Sequence, residues 1–235
     1  MKNISIIVLS LFIAGCSQTI DETEQARKSI QESYPDLSIE SIKKVDENFF
    51  EVIIHGEIFY LSSDYKYFIA GNVINVKTKE NITEVSRKSR RLSILENLNA
   101  ENMIIYKPNK TNYILTIFSD TSCPYCQKLH EELDELIENN IEVRYILFPR
   151  FGQNTEAYVQ MISIWCSDNQ KTALDNVFND ENIEQNTQCD NPLNENLELA
   201  QKLSVTGTPM IFTENGSVIP GYQPAKEIIK FLSSL

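Results

Sequence analysis

The pattern of apolar and polar residues divides the chain into three regions. An apolar run over residues 4–14 is followed by short segments, extending to residue 76, that are rich in Ile, Val, Phe and Tyr. From residue 103 onward, strand-like and helix-like segments alternate, and residues 81–99 between the two regions carry apolar side chains at helical spacing. The pattern therefore predicts two folded parts joined by a helix.

The first folded part is predicted to be rich in β structure. A helix over residues 24–33 ends at Tyr34, because the residue before a proline disfavours helical geometry. Turn residues then separate five strand-like runs at the spacing of an antiparallel meander: 38–45, 49–55, 57–61, 66–70 and 72–76. Gly71 lies between the last two and indicates a bulge or a close backbone approach. A part of about 60 residues buries a marginal core alone, so we expect two copies to pair through a sheet edge at Gly71.

The second folded part is predicted to be an α/β domain with a helical insertion. Its predicted strands cover residues 103–106, 113–118, 141–148, 210–213 and 217–219. Its predicted helices cover residues 123–138, 155–178, 194–203 and 224–232.

The apolar run at the N-terminus predicts an export signal, since it is too short for a permanent membrane span. Its end, LFIAGC, resembles the lipobox of bacterial lipoproteins, which predicts cleavage after residue 15 and acylation of Cys16. An ordinary cleaved signal is the alternative, but no Ala-x-Ala site is present. Ser17 stands where an inner-membrane retention signal would have Asp. We therefore expect attachment to the outer membrane, facing the periplasm, through the lipid anchor only.

The formal net charge of −12 over 235 residues argues against binding to nucleic acid or to anionic lipid head groups. One basic cluster, Arg87, Lys88, Arg90 and Arg91, lies in the linker helix. We interpret it as a solvated helix face.

The candidate chemistry lies in Cys123-Pro124-Tyr125-Cys126, which joins a buried strand to a helix. At a helix N-terminus, unpaired N–H groups and the helix dipole favour the thiolate, so Cys123 is predicted to be the more exposed thiol with the lower pKa. Cys126, one turn further in, can attack a mixed disulfide at Cys123. Zinc is the alternative, but it needs two further ligands and no second close cysteine pair exists. We predict redox chemistry without metal or cofactor.

A second signal is Gly207-Thr208-Pro209, which precedes a predicted strand and hairpin. It resembles the cis-proline loop that packs against the CxxC pair in thioredoxin-like folds. Thr208 would present its backbone to an extended substrate segment.

Four stretches together resemble the DsbC/DsbG family of periplasmic disulfide isomerases: FSDTSCPYCQKLHEEL, IEVRYILFPR, IWC and VTGTPMIFTENGSVIPGYQPAKEIIKFL. The resemblance implies a V-shaped homodimer with a cystatin-like N-terminal dimerisation domain and a thioredoxin-like catalytic domain. It also implies that Cys123 attacks, that Cys166 and Cys189 form a structural disulfide, and that Thr208-Pro209 is the cis-proline pair. A DsbD-type membrane reductant would keep the pair reduced.

The predicted domains are a signal peptide (1–15), a lipidated tether (16–23), the N-terminal domain (24–80), the linker helix (81–100) and the catalytic domain (101–235). The predicted function is isomerisation or reduction of wrong disulfides in unfolded or misoxidised exported proteins. Pro124-Tyr125 departs from the Gly-Tyr of DsbC, and these residues tune the reduction potential. The alternatives are a DsbA-like oxidant, which does not need the N-terminal domain, and a lipid-anchored chaperone without redox chemistry.

Overall fold

The computed structural model describes residues 21–235, so the export signal and Cys16 lie outside the described residues. The first folded part consists of α1 (Glu22–Ser33) and an antiparallel sheet in the order β1-β2-β3-β4. These strands are β1 (Ile39–Lys44), β2 (Phe49–Ile54), β3 (Glu57–Ser62) and β4 (Phe68–Ala70). Four of the five predicted strands are thereby confirmed, and β4 lies at an edge of the sheet.

The core of this part lies between α1 and one face of the sheet. Phe50, Val52 and Ile54 alternate along β2 and are buried against Ala26 and Ile30 of α1. Each buried side chain of this size contributes about 1.5–3 kcal/mol relative to an exposed one. The small number of such residues agrees with the marginal core expected from the sequence.

The predicted strand over residues 72–76 is wrong. Only an isolated bridge between Ile74 and Asn81 forms there. The Asn75 side chain accepts hydrogen bonds from the backbone N–H groups of Lys77 and Thr78, at 3.0 and 3.2 Å. This local turn directs the chain into the linker helix, because an Asn side chain competes with strand pairing for the backbone donors.

The linker helix, α2, covers Ile82–Leu95 and ends earlier than predicted. The interpretation of its basic cluster as a solvated face is wrong for two members. Arg90 forms an ion pair with Glu40 at 2.8 Å, and Arg91 donates to the carbonyl oxygen of Gly216 at 2.8 Å. The helix therefore contacts both folded parts through its basic residues.

The second folded part is a five-stranded sheet in the order β5-β7-β6-β8-β9, in which only β6 and β7 are parallel. The strands are β5 (Ile104–Tyr106), β6 (Tyr113–Ser119), β7 (Ile141–Leu147), β8 (Met210–Thr213) and β9 (Val218–Pro220). The helices are α3 (Pro124–Glu131), α4 (Leu133–Glu138), α5 (Glu156–Trp165), α6 (Gln170–Phe178), α7 (Leu193–Lys202) and α8 (Ala225–Leu232). The predicted α/β class with a helical insertion is confirmed.

Helices cover both faces of this sheet. One apolar cluster joins the sheet to α3, α4, α5, α6 and α8, and a second joins it to α7 and the end of α2. The central strand β6 is consequently buried on both faces, with Leu115, Ile117 and Phe118 fully inaccessible to solvent. The CxxC motif follows this enclosed strand, so Cys123 is held by a rigid support.

Two predicted helices are interrupted. The helix predicted over residues 123–138 breaks at Glu132, whose carboxylate accepts hydrogen bonds from the Tyr222 hydroxyl and from the backbone N–H of Ala225. The helical region predicted over residues 155–178 separates into α5 and α6. None of the helices within residues 21–235 is long and apolar enough to cross a membrane.

Candidate active site

The CxxC motif lies at the N-terminus of α3, where the chain leaves β6. Cys123 is the N-cap residue with an extended backbone, and Pro124 takes the first helical position, where its missing N–H costs nothing. The peptide bond between Thr208 and Pro209 is cis. The Cys123 thiol donates a hydrogen bond to the Thr208 carbonyl oxygen at 3.3 Å, so the two motifs meet in space although they are distant in sequence.

The Cys123 thiol is biased toward its ionised form. Burial alone raises its pKa, but the neighbouring polar groups, the Thr208 side chain first and then the Cys126 backbone and thiol, act in the opposite direction. A further backbone hydrogen bond from Tyr125 adds to them, and the net pKa of Cys123 is below the ordinary cysteine value. The direction agrees with a sulfur at a helix N-terminus.

The Cys126 thiol favours its protonated form. Burial raises its pKa to about 12, against the opposing effects of the Asp120 backbone N–H and the nearby Ser119 side chain. The Asp120 N–H lies 3.5 Å from the Cys126 sulfur. The two thiols therefore differ strongly in their tendency to ionise, although they stand one helical turn apart.

Both thiols are buried in this conformation, so the difference in exposure expected between them is slight. Cys123 is 2 % exposed and Cys126 is 1 % exposed, and the cis-proline loop lies against the Cys123 sulfur. A substrate disulfide must therefore approach along the surface that surrounds Cys123.

We predict that alkylation of the reduced protein labels Cys123 first. Its lowered pKa keeps the thiolate populated at lower pH than in a free cysteine, whereas Cys126 stays protonated, so below neutral pH iodoacetamide should modify Cys123 before Cys126. Peptide mass spectrometry across a pH series measures this. In a Cys123→Ser control the label at low pH should vanish, and faster labelling of Cys126 would contradict the assignment.

Two residues that the sequence analysis missed support the turn before Cys123. The Asp120 side chain is 1 % exposed and accepts hydrogen bonds from the Ser122 backbone at 2.8 Å and from the Arg150 backbone at 3.0 Å. The Arg150 guanidinium forms an ion pair with the same carboxylate at 3.3 Å and contacts the Ser122 carbonyl at 3.4 Å. An Asp two residues before a Ser at a strand end is an Asx-turn signal that could have indicated Asp120.

A buried histidine, also missed, follows Cys126 by one turn of α3. Burial lowers the pKa of His130, in spite of the opposing Asp175 carboxylate 3.0 Å from its Nε2 atom. Its Nδ1 atom lies 3.2 Å from the hydroxyl of Tyr145. These contacts join α3 to α6 and to the sheet, so they fix the helix that carries both cysteines. Its position four residues after Cys126, on the same face of the helix, is the sequence signal that could have indicated His130.

The predicted neighbour Tyr125 points outward. Its side chain is 61 % exposed, and its ring stacks on Tyr222 with centroids 6.3 Å apart. The backbone N–H of Gly221 donates to the Pro209 carbonyl at 2.9 Å. This bond connects the cis-proline loop to the segment that carries Tyr222.

Cys166 and Cys189 are joined by a disulfide, with Cα atoms 5.7 Å apart. Cys166 ends α5, and Cys189 lies in the non-helical segment before α7. The bond fastens the helical insertion away from the two free cysteines of the described chain.

We predict that replacing both Cys166 and Cys189 by serine destabilises the protein by about 3 kcal/mol, the chain-entropy cost for a loop of this length. The sequence separation of 23 residues between the two cysteines sets the length of the closed loop. Denaturant unfolding of the variant and of wild type measures the difference in the free energy of unfolding. Reduced wild type, which lacks the disulfide but keeps both cysteines, is the control. A loss below about 1 kcal/mol would show that the segment is held by other contacts.

The remaining predicted positions lie apart from this site. Gly71 follows the edge strand β4 with a φ of +143°, and nothing lies within 4 Å of a Cβ built on it. Cys16 is outside the described residues. Within residues 21–235, no group of three or more His, Cys, Asp or Glu side chains is arranged to hold a metal ion.

A reactive thiol of lowered pKa at a strand-to-helix junction, a buried second thiol and a cis-proline loop are suited to thiol–disulfide exchange. Fold and site together define a thioredoxin-like thiol–disulfide oxidoreductase. The comparisons with known proteins narrow this class. Residues 17–84 match the model of the disulfide bond isomerase protein N-terminal domain, and residues 100–235 match that of a thioredoxin-like domain.

The chain is 33% identical over 183 residues to the thiol:disulfide interchange protein DsbC of Escherichia coli K12, covering 77% of this chain and 75% of the relative. It is 28% identical to DsbC of Pasteurella multocida over 95% of this chain and 93% of that protein. A disulfide interchange protein from Neisseria gonorrhoeae has a similar solved structure, with TM-score 0.51 and 25% identity over 57% of this chain and 97% of that one.

The chain belongs to the DsbC family of thiol:disulfide interchange proteins. It is a thiol:disulfide isomerase, as the sequence predicted, and the DsbA-like alternative is not favoured.

Proposed function

We propose that the chain reshuffles and reduces non-native disulfides in exported proteins, with Cys123 as the attacking thiol and Cys126 as the resolving thiol. The observation that carries this proposal is that the pKa values of the two thiols are shifted in opposite directions. The pKa of Cys123 is lowered, while that of Cys126 is raised to about 12. Only Cys123 therefore forms enough thiolate to attack near neutral pH.

The first step forms a mixed disulfide. The Cys123 thiolate attacks one sulfur of the substrate disulfide, the bond between Cys123 and that sulfur forms, and the substrate S–S bond breaks. The other substrate sulfur leaves as a thiolate and takes a proton from water. The lowered pKa of Cys123 helps twice, because it supplies the thiolate for attack and makes Cys123 a good leaving group afterwards.

The mixed disulfide then resolves in one of two ways. When another substrate thiolate attacks the substrate sulfur, a rearranged substrate disulfide forms and Cys123 leaves as a thiolate, which is isomerisation. When Cys126 loses its proton and attacks the Cys123 sulfur, the substrate leaves reduced and the pair becomes a disulfide. The high pKa of Cys126 slows the second route and leaves time for the first.

Family membership supports a periplasmic location. We propose that the protein acts there as a homodimer anchored to the outer membrane through lipid on Cys16, and that a DsbD-type membrane reductant returns the oxidised pair to the dithiol. The acidic composition supports the absence of nucleic acid among its partners.

Refolding of a scrambled multi-disulfide protein tests the proposal. Reduced protein in catalytic amounts should restore the activity of the scrambled substrate, and thiol trapping in cells should find the pair in the reduced state. Oxidation of reduced substrates without repair of scrambled ones, together with an oxidised pair in cells, would favour an oxidant instead.

A further inference from the structure

One large aromatic side chain near the active site has no role in the reaction described above. Phe151 is 71 % exposed on the loop that follows β7, although the other phenylalanines of this part are mostly buried. Aromatic residues, phenylalanine included, are enriched at the surfaces through which proteins contact one another.

The contacts of its neighbour Arg150 fix Phe151 close to Cys123. The Arg150 guanidinium lies 4.9 Å from the centroid of the Phe151 ring and 3.4 Å from the carbonyl oxygen of Ser122, which precedes Cys123. The same guanidinium is held by the buried Asp120 carboxylate at 3.3 Å. The ring is therefore separated from the residue before Cys123 by a single, firmly anchored guanidinium.

The residues that follow Cys123 carry a similar arrangement. The exposed Tyr125 ring stacks on Tyr222, and the Lys128 ammonium lies 4.7 Å from the centroid of the Tyr222 ring. Two aromatic surfaces, each in contact with one cation, thus lie beside the residues that precede and follow the reactive thiol. Because Cys123 is only 2 % exposed, a substrate segment that reaches its sulfur must pack closely on the surface around it.

We infer that Phe151 is a specificity-determining contact of the isomerase: its ring packs against an apolar side chain next to the substrate cysteine that Cys123 attacks, within an extended segment of polypeptide. The inference rests on the proposed function of Cys123. An apolar neighbour gains contact area on the ring, whereas a cationic neighbour meets Arg150 and Lys128. Unfolded proteins expose such apolar residues beside their cysteines, and native ones bury them.

Two disulfide-linked peptides test the inference. They differ only in the residue beside the attacked cysteine, which is leucine in one and serine in the other, and their reduction by the reduced full-length protein is followed by fluorescence. Wild type should favour the leucine peptide by about fivefold in kcat/KM, less than full burial of such a side chain would give. In Phe151→Ala the ratio should fall to about one through a higher KM for the leucine peptide, while Phe151→Leu should retain most of it.

Leu235→Ala is the matched control, because Leu235 is another exposed apolar side chain of the same part, at 56 % exposure. It should leave the ratio unchanged. A wild-type ratio near one, an equal slowing of both peptides by Phe151→Ala, or a changed sedimentation coefficient of that variant would overturn the inference. Failure of wild type to reduce either peptide would instead overturn the proposed function.

Discussion

Replacing Cys123 by serine should abolish both isomerisation and reduction, with a fall in rate of about a thousandfold or more, because a serine hydroxyl does not ionise near neutral pH and cannot form the mixed disulfide. Cys126 does not replace it, since burial raises its pKa to about 12 and leaves little thiolate near neutral pH. The scrambled-substrate refolding assay measures the loss.

Cys126→Ser is the matched variant, with the same atomic change one helical turn away. It should lose reduction but keep part of the isomerisation, because release through a second substrate thiol does not need Cys126. It should also accumulate a covalent complex with substrate through Cys123, visible on a non-reducing gel. A complex formed through Cys126 in the Cys123→Ser protein would reverse the assignment of the two roles.

Replacing Gly71 by arginine should convert the protein into a monomer that keeps its dithiol reactivity but loses most isomerisation. Gly71 follows β4, the edge strand of the N-terminal sheet, and within residues 21–235 no strand pairs with the outer side of β4. Tyr67 beside it is 65 % exposed. An open edge with an exposed aromatic residue invites pairing with a second copy about a twofold axis. A bulky cation at Gly71 obstructs that approach.

Gly71→Ala separates this effect from backbone strain. A φ of +143° disfavours alanine and arginine alike, but alanine adds only a methyl group, which meets nothing within 4 Å, and no charge. Sedimentation of protein lacking residues 1–16, at micromolar concentration, should give a dimer for wild type and Gly71→Ala and a monomer for Gly71→Arg. A monomeric wild type would weaken the assignment of isomerisation to a dimer.

Much of the fold followed from local patterns. The alternation of apolar residues in β2 and the aromatic and β-branched run before Cys123 predicted their strands because side-chain period and burial are encoded locally. The strand predicted over residues 72–76 failed because one side chain, Asn75, captured two backbone donors that a strand would have needed. The helix predicted through Glu132 failed because its carboxylate bonds to residues of the C-terminal segment, a contact that no local pattern contains.

The candidate site likewise has some features that local patterns predict and others that arise only from contacts between distant residues. Helix spacing indicated the relation of Cys123 to Cys126, and resemblance indicated that Thr208 lies near them. The buried Asp120 and its partner Arg150 were missed because the residues are 30 positions apart and meet only after β6 and β7 pair. The degree of burial of Cys123 did not follow from the helix-end argument, since that argument describes ionisation and not access.

The glycine at the tip of the last hairpin constrains how the two folded parts can move. A Cβ at Gly216 would lie 2.9 Å from the Leu92 side chain and from the Lys88 carbonyl oxygen, so the linker helix rests directly on the hairpin backbone. The start of the same helix is held by the N-terminal sheet, because the Tyr60 hydroxyl of β3 donates a buried hydrogen bond to the Thr83 side chain at 2.9 Å. The exposed contacts of Arg90 with Glu40 and of Ser204 with Glu57 also join the two parts, and contacts of this kind are worth at most about 1 kcal/mol each. A change in the angle between the two parts must therefore bend the linker helix or break the hydrogen bond between Tyr60 and Thr83.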